Sequence, residues 1–169
     1  MIQVSEQHAS RIRKNIEDYK DPYIPKADGG ISQCKECGAI HHSHRWYLPE
    51  SLPHDFLKGK EVHPVVCPAC RKIADGIPGG VLRLSGEFLQ QHREDILRLI
   101  RNEENAARLD NPLERIMSIE EDGGATVIHT TNEKLAQRLG KAVHKAYSGK
   151  LDYKWSEDTK LARITWHRE

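Results

Sequence analysis

Four cysteines are the residues whose type and spacing most directly specify chemistry in this sequence. Cys34-Lys-Glu-Cys37 and Cys67-Pro-Ala-Cys70 are two Cys-x-x-Cys pairs separated by 29 residues. Two intervening residues let both thiolates of a tight turn face one ion, while amide groups of the same turn stabilise the charge on sulfur. Two such knuckles supply four thiolates in a tetrahedron, the ligand set of a closed structural zinc site. Gly38 follows the first pair, where a knuckle often takes a positive φ. The expectation is one zinc per chain, bound by Cys34, Cys37, Cys67 and Cys70. Two other readings of the same residues stay open. One is a pair of redox dithiols, although neither pair is set at the start of a helix within a βαβ unit. The other is a rubredoxin-like iron electron carrier, which also pairs two knuckles with Cys-Pro in the second. That type is acidic and packs several aromatics around iron, whereas this segment offers Trp46, Tyr47 and Phe56 but carries Arg71 and Lys72 beside the second knuckle.

Histidines 41, 42, 44, 54 and 63 crowd the stretch between the knuckles. Four thiolates already close the coordination shell, and a hydrolytic site more typically keeps three protein ligands and a water. The histidines therefore read as a polar loop, with one or two of them hydrogen-bonding the sulfurs. No phosphate-binding Gly-x-x-x-x-Gly-Lys, His-Glu-x-x-His or Gly-x-Ser-x-Gly motif is present. Gly76–Gly80 reads as a turn, Glu120-Glu121-Asp122 as a solvated hairpin tip, and His129 and His144 as structural. The expectation is a protein that is not an enzyme and takes no small-molecule substrate. Arg45-Trp46 is a candidate contact, because an Arg beside an indole can grip a phosphate and stack on a base. Trp46 can equally be the small core of the cysteine segment.

The chain has 169 residues, of which 37% are hydrophobic and 30% charged, with only two Phe and three Trp. Such a chain buries a core, but a sub-domain below about 80 residues usually needs a staple. The formal net charge is +1, yet Asn132–Glu169 holds nine Lys/Arg against five Asp/Glu. That excess permits contact with nucleic acid without demanding it. No run approaches the roughly 20 apolar residues of a membrane span. The start MIQVSEQHASRIRKNIEDYK is polar and mixed in charge, unlike a signal peptide. The expected location is cytoplasmic, with no membrane contact, and there four cysteines are metal ligands more often than disulfides.

The elements that must position these residues follow from periodicity. Residues 1–20 can form a charged helix through Ile12, Ile16 and Tyr19, and Asp21–Gly30, with two prolines and a double glycine, reads as a linker. After the cysteine segment and the GIPGG turn comes the alternating run Val81-Leu82-Arg83-Leu84. Ser85 or Gly86 caps a helix to about Leu109, with Leu89, Ile96 and Ile100 on its apolar stripe and a polar tail, RNEENAARLD, reaching into solvent. Arg115–Glu120 and Ala125–Thr131 alternate as strands around an Asp122-Gly123-Gly124 turn. Asn132 caps a helix with Leu135, Leu139 and Val143 inward, joined by Ala136, Ala142 and Ala146, and Gly149 suits its C-terminus. Strands Leu151–Trp155 and Leu161–Trp166 follow, around a turn at Glu157-Asp158-Thr159. The fold class is α+β: a zinc-ribbon-like four-cysteine module, then an antiparallel β-β-α-β-β domain, joined by a long helix. The corresponding segments are 1–30 (helix and linker), 31–84 (zinc module), 85–111 (connecting helix) and 112–169 (sheet domain).

The segment GGATVIHTTNEKLAQRLGKAVHKAYSGKLDYKWSEDTKLARITWHR resembles the core domain of a family of adaptors that accompany the large ribosomal subunit during nuclear export in eukaryotes, zinc-knuckle proteins of the nonsense-mediated-decay-three type with archaeal members. That family also carries Cys-x-x-Cys knuckles ahead of this domain, one resembling Cys67-Pro-Ala-Cys70-Arg71. Asp21-Pro22-Tyr23, Cys34–Ala39 and Arg45-Trp46 further resemble a group of short bacterial relatives. The resemblance implies a non-enzymatic factor that binds ribosomal RNA or the large ribosomal subunit. On that view Arg45, Trp46, Arg71 and Lys72, with Lys134, Arg138, Lys141 and Lys145, contact RNA. The last four recur at spacings of four, three and four, on one helical face outside the apolar stripe. The alternative is a zinc-stabilised protein–protein adaptor, in which the metal only holds a docking surface for a protein partner.

Overall fold

The computed structural model describes residues 30–156, 158 and 161–169. The expected helix over 1–20, the linker up to residue 29 with Asp21-Pro22-Tyr23, and Glu157 and Thr159 of the last turn lie outside the described residues. Helix and strand are mixed: the described residues form three α-helices and two sheets. None of these helices is long and apolar enough to cross a membrane.

The first sheet is made of β1 (Ile31–Cys34), β2 (Ile40–His42), β3 (Arg45–Tyr47) and β4 (Val62–Val65), in the order β3-β2-β1-β4. β1, β2 and β3 meander antiparallel, while β4 returns parallel to β1. Helix α1 (Pro68–Asp75) follows, with Cys67 as its N-cap and Pro68 at its first position, where a missing N–H costs nothing. Around these elements lies a small cluster of Cys34, Ala39, Trp46, Cys67 and Ala69, against which Cys37, Val65, Cys70 and Leu113 pack.

The second sheet is five-stranded and mixed, which corrects the expected antiparallel four. Its strands are β5 (Gly80–Ser85), β6 (Ile116–Asp122), β7 (Ala125–Thr130), β8 (Lys150–Trp155) and β9 (Ala162–His167), in the order β6-β7-β5-β9-β8. The run Val81–Leu84, grouped by sequence with the cysteine segment, is the central strand here. It is antiparallel to β7 and parallel to β9. The two hairpins β6–β7 and β8–β9 are each locally encoded, and β5 fills the gap between them, burying Leu82 and Leu84 completely. A four-residue alternation shows that a strand forms but not which sheet receives it. In the β6–β7 hairpin Gly123 and Gly124 both take positive φ, +56° and +83°, as a two-residue turn matched to strand twist requires.

Helices α2 (Glu87–Asp110) and α3 (Glu133–Tyr147) cover one face of this sheet. Leu89, Ile96, Ile100 and Ala107 of α2 meet Leu135, Ala136, Leu139 and Val143 of α3 over Leu82, Leu84, Ile128, Ile164 and Trp166. α2 is therefore part of the second core, not a free connector. Its polar tail is docked as well, correcting the expectation that it projects into solvent. Ala107 is buried, the Glu104 carboxylate accepts from the Ile116 amide at 2.7 Å, and Glu103 pairs with Arg138 at 2.9 Å. The helix is kinked at His92 (φ −122°), whose ring stacks on Phe88. In α3 the Asn132 side chain accepts from the Leu135 amide at 2.9 Å, the expected cap. Gly140 lies on its buried side, whereas Ala142 is half-buried and Ala146 exposed, so these two alanines leave the inner face.

Candidate metal centre

Each cysteine reaches the cluster by a different local device. Cys34 ends β1, and its knuckle closes through the Gly38 amide, which donates to the Cys34 carbonyl, and the Cys34 amide, which donates to the Ala39 carbonyl, both at 2.8 Å. Gly38 holds φ +80°, the left-handed turn that swings Cys37 back toward Cys34. Cys67 precedes α1 in an extended conformation, and one turn of that helix brings Cys70 to the same side.

All four sulfurs lie within 4.8 Å of one another, and all four cysteines are free thiols. A tetrahedral ion with bonds of about 2.3 Å, as zinc makes to thiolates, has edges of about 3.8 Å. Cys37 Sγ and Cys67 Sγ are 3.7 Å apart. The donor set and spacing thus fit a metal ion.

The electrostatics lead to the same place. The Cys37 thiol is pulled down to about 4 by its hydrogen bond with Cys67, against the opposing effect of burial. Cys67 is pushed up by that same bond and by burial, and Cys70 is pushed up chiefly by burial. Thiols packed this closely oppose one another's ionisation, and a bound cation would offset that opposition. Cys34 and Cys67 are 1% and 0% exposed, which leaves no room for a substrate to approach the inner sulfurs.

N–H donors support the sulfurs. The Cys67 amide donates to Cys34 Sγ at 3.2 Å, the Cys70 amide to Cys67 Sγ at 3.4 Å, and the Arg115 guanidinium to Cys70 Sγ at 3.2 Å. Arg115 is the residue that sequence reasoning missed, since it lies 45 positions beyond Cys70 and belongs to the second sheet's entry segment. Its own backbone is pinned on both sides by Thr131, at 2.9 Å each way. A guanidinium here offsets part of the excess negative charge of a four-thiolate site and ties that site to the sheet domain.

The histidines take other roles than the one expected. Among the described residues no histidine bonds a sulfur. His41 leans on Trp46, and His42 stacks on Tyr47 and meets Phe56. Burial and the neighbouring His44 and His42 push the His41 pKa below its ordinary value.

The eight residues expected to contact RNA divide. Trp46 is 8% exposed and belongs to the small core, so its ring is packing and not a stacking surface. Lys72 is half-buried and donates to the Thr131 carbonyl at 3.1 Å. Arg45 is exposed, lies over the Tyr47 ring and donates to the Asp110 carbonyl at 3.1 Å, bridging to the end of α2. Arg71 is exposed on α1. Lys134, Arg138, Lys141 and Lys145 come together along one shallow groove on the outside of α3, completed by Gln137, Ala142 and Glu103. Lys134, Lys141 and Lys145 are exposed, while Arg138 is half-buried against Glu103. Beside this row Glu114 is buried. Desolvation pushes its carboxyl up, opposed by Asn132, Lys134 and Arg138.

No protein-family model, curated protein or solved structure matches this chain.

Proposed function

We propose that this protein is a non-enzymatic, zinc-stabilised factor that binds RNA, with ribosomal RNA or the large ribosomal subunit as the partner. The observation that carries the RNA half is the convergence of Lys134, Arg138, Lys141 and Lys145 on one open groove of α3. A row of cations at helical spacing, with no nucleophile or acid–base pair among them, suits phosphate contacts that position without chemistry. The resemblance to the ribosomal adaptor family supports the choice of partner. Zinc suits four thiolates because it takes a tetrahedron of such ligands and imposes no further geometric demand. Its role is structural, since four protein ligands leave no open position.

Charge reversal tests the groove. Arg138 holds Glu103, so the informative pair is Lys141→Glu with Lys145→Glu, both exposed and opposite the buried stripe. Stability should shift by less than about 0.5 kcal/mol. Affinity for purified ribosomal subunits should fall, and the slope of log affinity against log salt should flatten by about 0.7 to 0.9 for each phosphate no longer neutralised. Equal affinities and equal slopes would make this row a solvated surface and move the reading to a protein–protein adaptor.

A further inference from the structure

The face of the second sheet that points away from the helices carries cations in an arrangement that costs stability. Strand register sets His129 of β7, Val81 of β5, Arg163 of β9 and Lys154 of β8 side by side. Lys154 and Arg163 are direct neighbours on antiparallel strands, both exposed, and like charges so placed repel. The nearby acids have other partners on the same face, and Glu120 stands 4.0 Å from His129. Asp152 pairs with Lys150 at 3.5 Å, and Asp122 pairs with Arg83 at 2.6 Å. Among the described residues no acid pairs with Lys154 or Arg163. Beside them a groove of about 410 Å³ opens on this face, lined by Val81 and Val127, by Arg83 neutralised by Asp122, and by His129, Arg163 and Thr165. A repulsive cation pair next to an apolar-floored groove is the complement of a chain that alternates anions with flat apolar surfaces.

We propose that this open sheet face is a second binding site, for single-stranded RNA, with the phosphate backbone along Lys154 and Arg163 and bases over Val81 and Val127. The inference rests on the RNA-binding reading for the class of ligand. It adds a surface on the other side of the sheet from α3. Unstacked bases can lie on a sheet between strand side chains, while the ridged backbone of an A-form duplex cannot bring its bases there. The two surfaces share no residue, so substitutions in one leave the other intact.

The test compares wild type, Lys154→Gln/Arg163→Gln and Lys141→Glu/Lys145→Glu by fluorescence anisotropy. The probes are a labelled single-stranded RNA of about 12 nucleotides and a duplex of equal length, at about 50 and 200 mM salt. The sheet-face pair should weaken single-strand binding about tenfold or more and flatten its salt slope by about 1.4 units. Its duplex binding should change little. Its melting temperature should match or exceed that of wild type, because the repulsive pair is gone. Unchanged single-strand binding, in a wild type that binds, overturns the sheet site and leaves the α3 reading standing. A wild type that binds neither RNA overturns both. Equal losses on single strand and duplex, or tighter binding of a polyglutamate competitor than of RNA, overturn the assignment to single-stranded RNA.

Discussion

Cys37→Ser is expected to abolish stoichiometric metal binding and to unfold residues 30–76 while the second sheet keeps its structure. Four of the nine residues in the first cluster are the cysteines themselves, and Trp46 is its only large buried side chain. A core of that size supplies a few kcal/mol at best, below what roughly 45 ordered residues cost in conformational entropy. Structural zinc contributes an apparent ~10–16 kcal/mol of folding free energy in small modules, far more than any single contact in this cluster. Removing one thiolate leaves the ion three protein ligands and an open position, so most of that contribution goes. The second core contains none of these residues: Leu82, Leu84, Ile128, Ile164 and Trp166 pack under α2 and α3 alone. Hydrogen exchange read by mass spectrometry checks this directly, with rapid exchange over 30–76 and retained protection over β5 to β9. A single cooperative loss of protection in both parts would mean that Arg115–Cys70, Lys72–Thr131 and Leu113 weld them into one unit.

Gly86→Ala is the second large effect, and it falls on the sheet domain. Gly86 sits between β5 and α2 with φ +106° and ψ 166°, a conformation that belongs to glycine. A Cβ there would lie 1.9 Å from the Arg168 carbonyl oxygen. That carbonyl accepts from the Phe88 amide at 3.3 Å, and the Arg168 amide donates to the Ser85 carbonyl at 3.1 Å. The junction cannot move aside without breaking both bonds. Backbone strain of about 1–3 kcal/mol and two broken hydrogen bonds at about 1 kcal/mol each give a total near 4 kcal/mol. For a domain this small that lowers Tm by about 15 °C or more. Gly59→Ala is the control, because Gly59 has φ +70° and open space around it. It should cost only the strain, about 1 kcal/mol. Thermal melts that show equal losses for the two variants would remove the close approach as the cause.

Much of this was legible along the chain, and the illegible parts share a cause. The Cys-x-x-Cys pairs named the cluster because a knuckle is a local device, and Asn132, Gly123-Gly124 and the Leu135–Leu139–Val143 stripe are equally local. What failed to show was long-range. β5 needed partners 42 to 82 positions away to declare its sheet. The tail of α2 looked solvated because its anchors are single contacts from Glu103 and Glu104 to later segments. Arg115 carries no motif, and only the folded chain sets it against Cys70. Trp46 could be read as surface or core from sequence, and the small cluster claims it.

Elemental analysis of protein purified without chelator, together with its visible absorbance, tests the metal claim on which the account rests. The expected result is about one zinc per chain in a colourless protein. One iron per chain with visible thiolate-to-metal absorption would make the centre redox-active in place of structural. The absence of any stoichiometric metal would contradict the account outright.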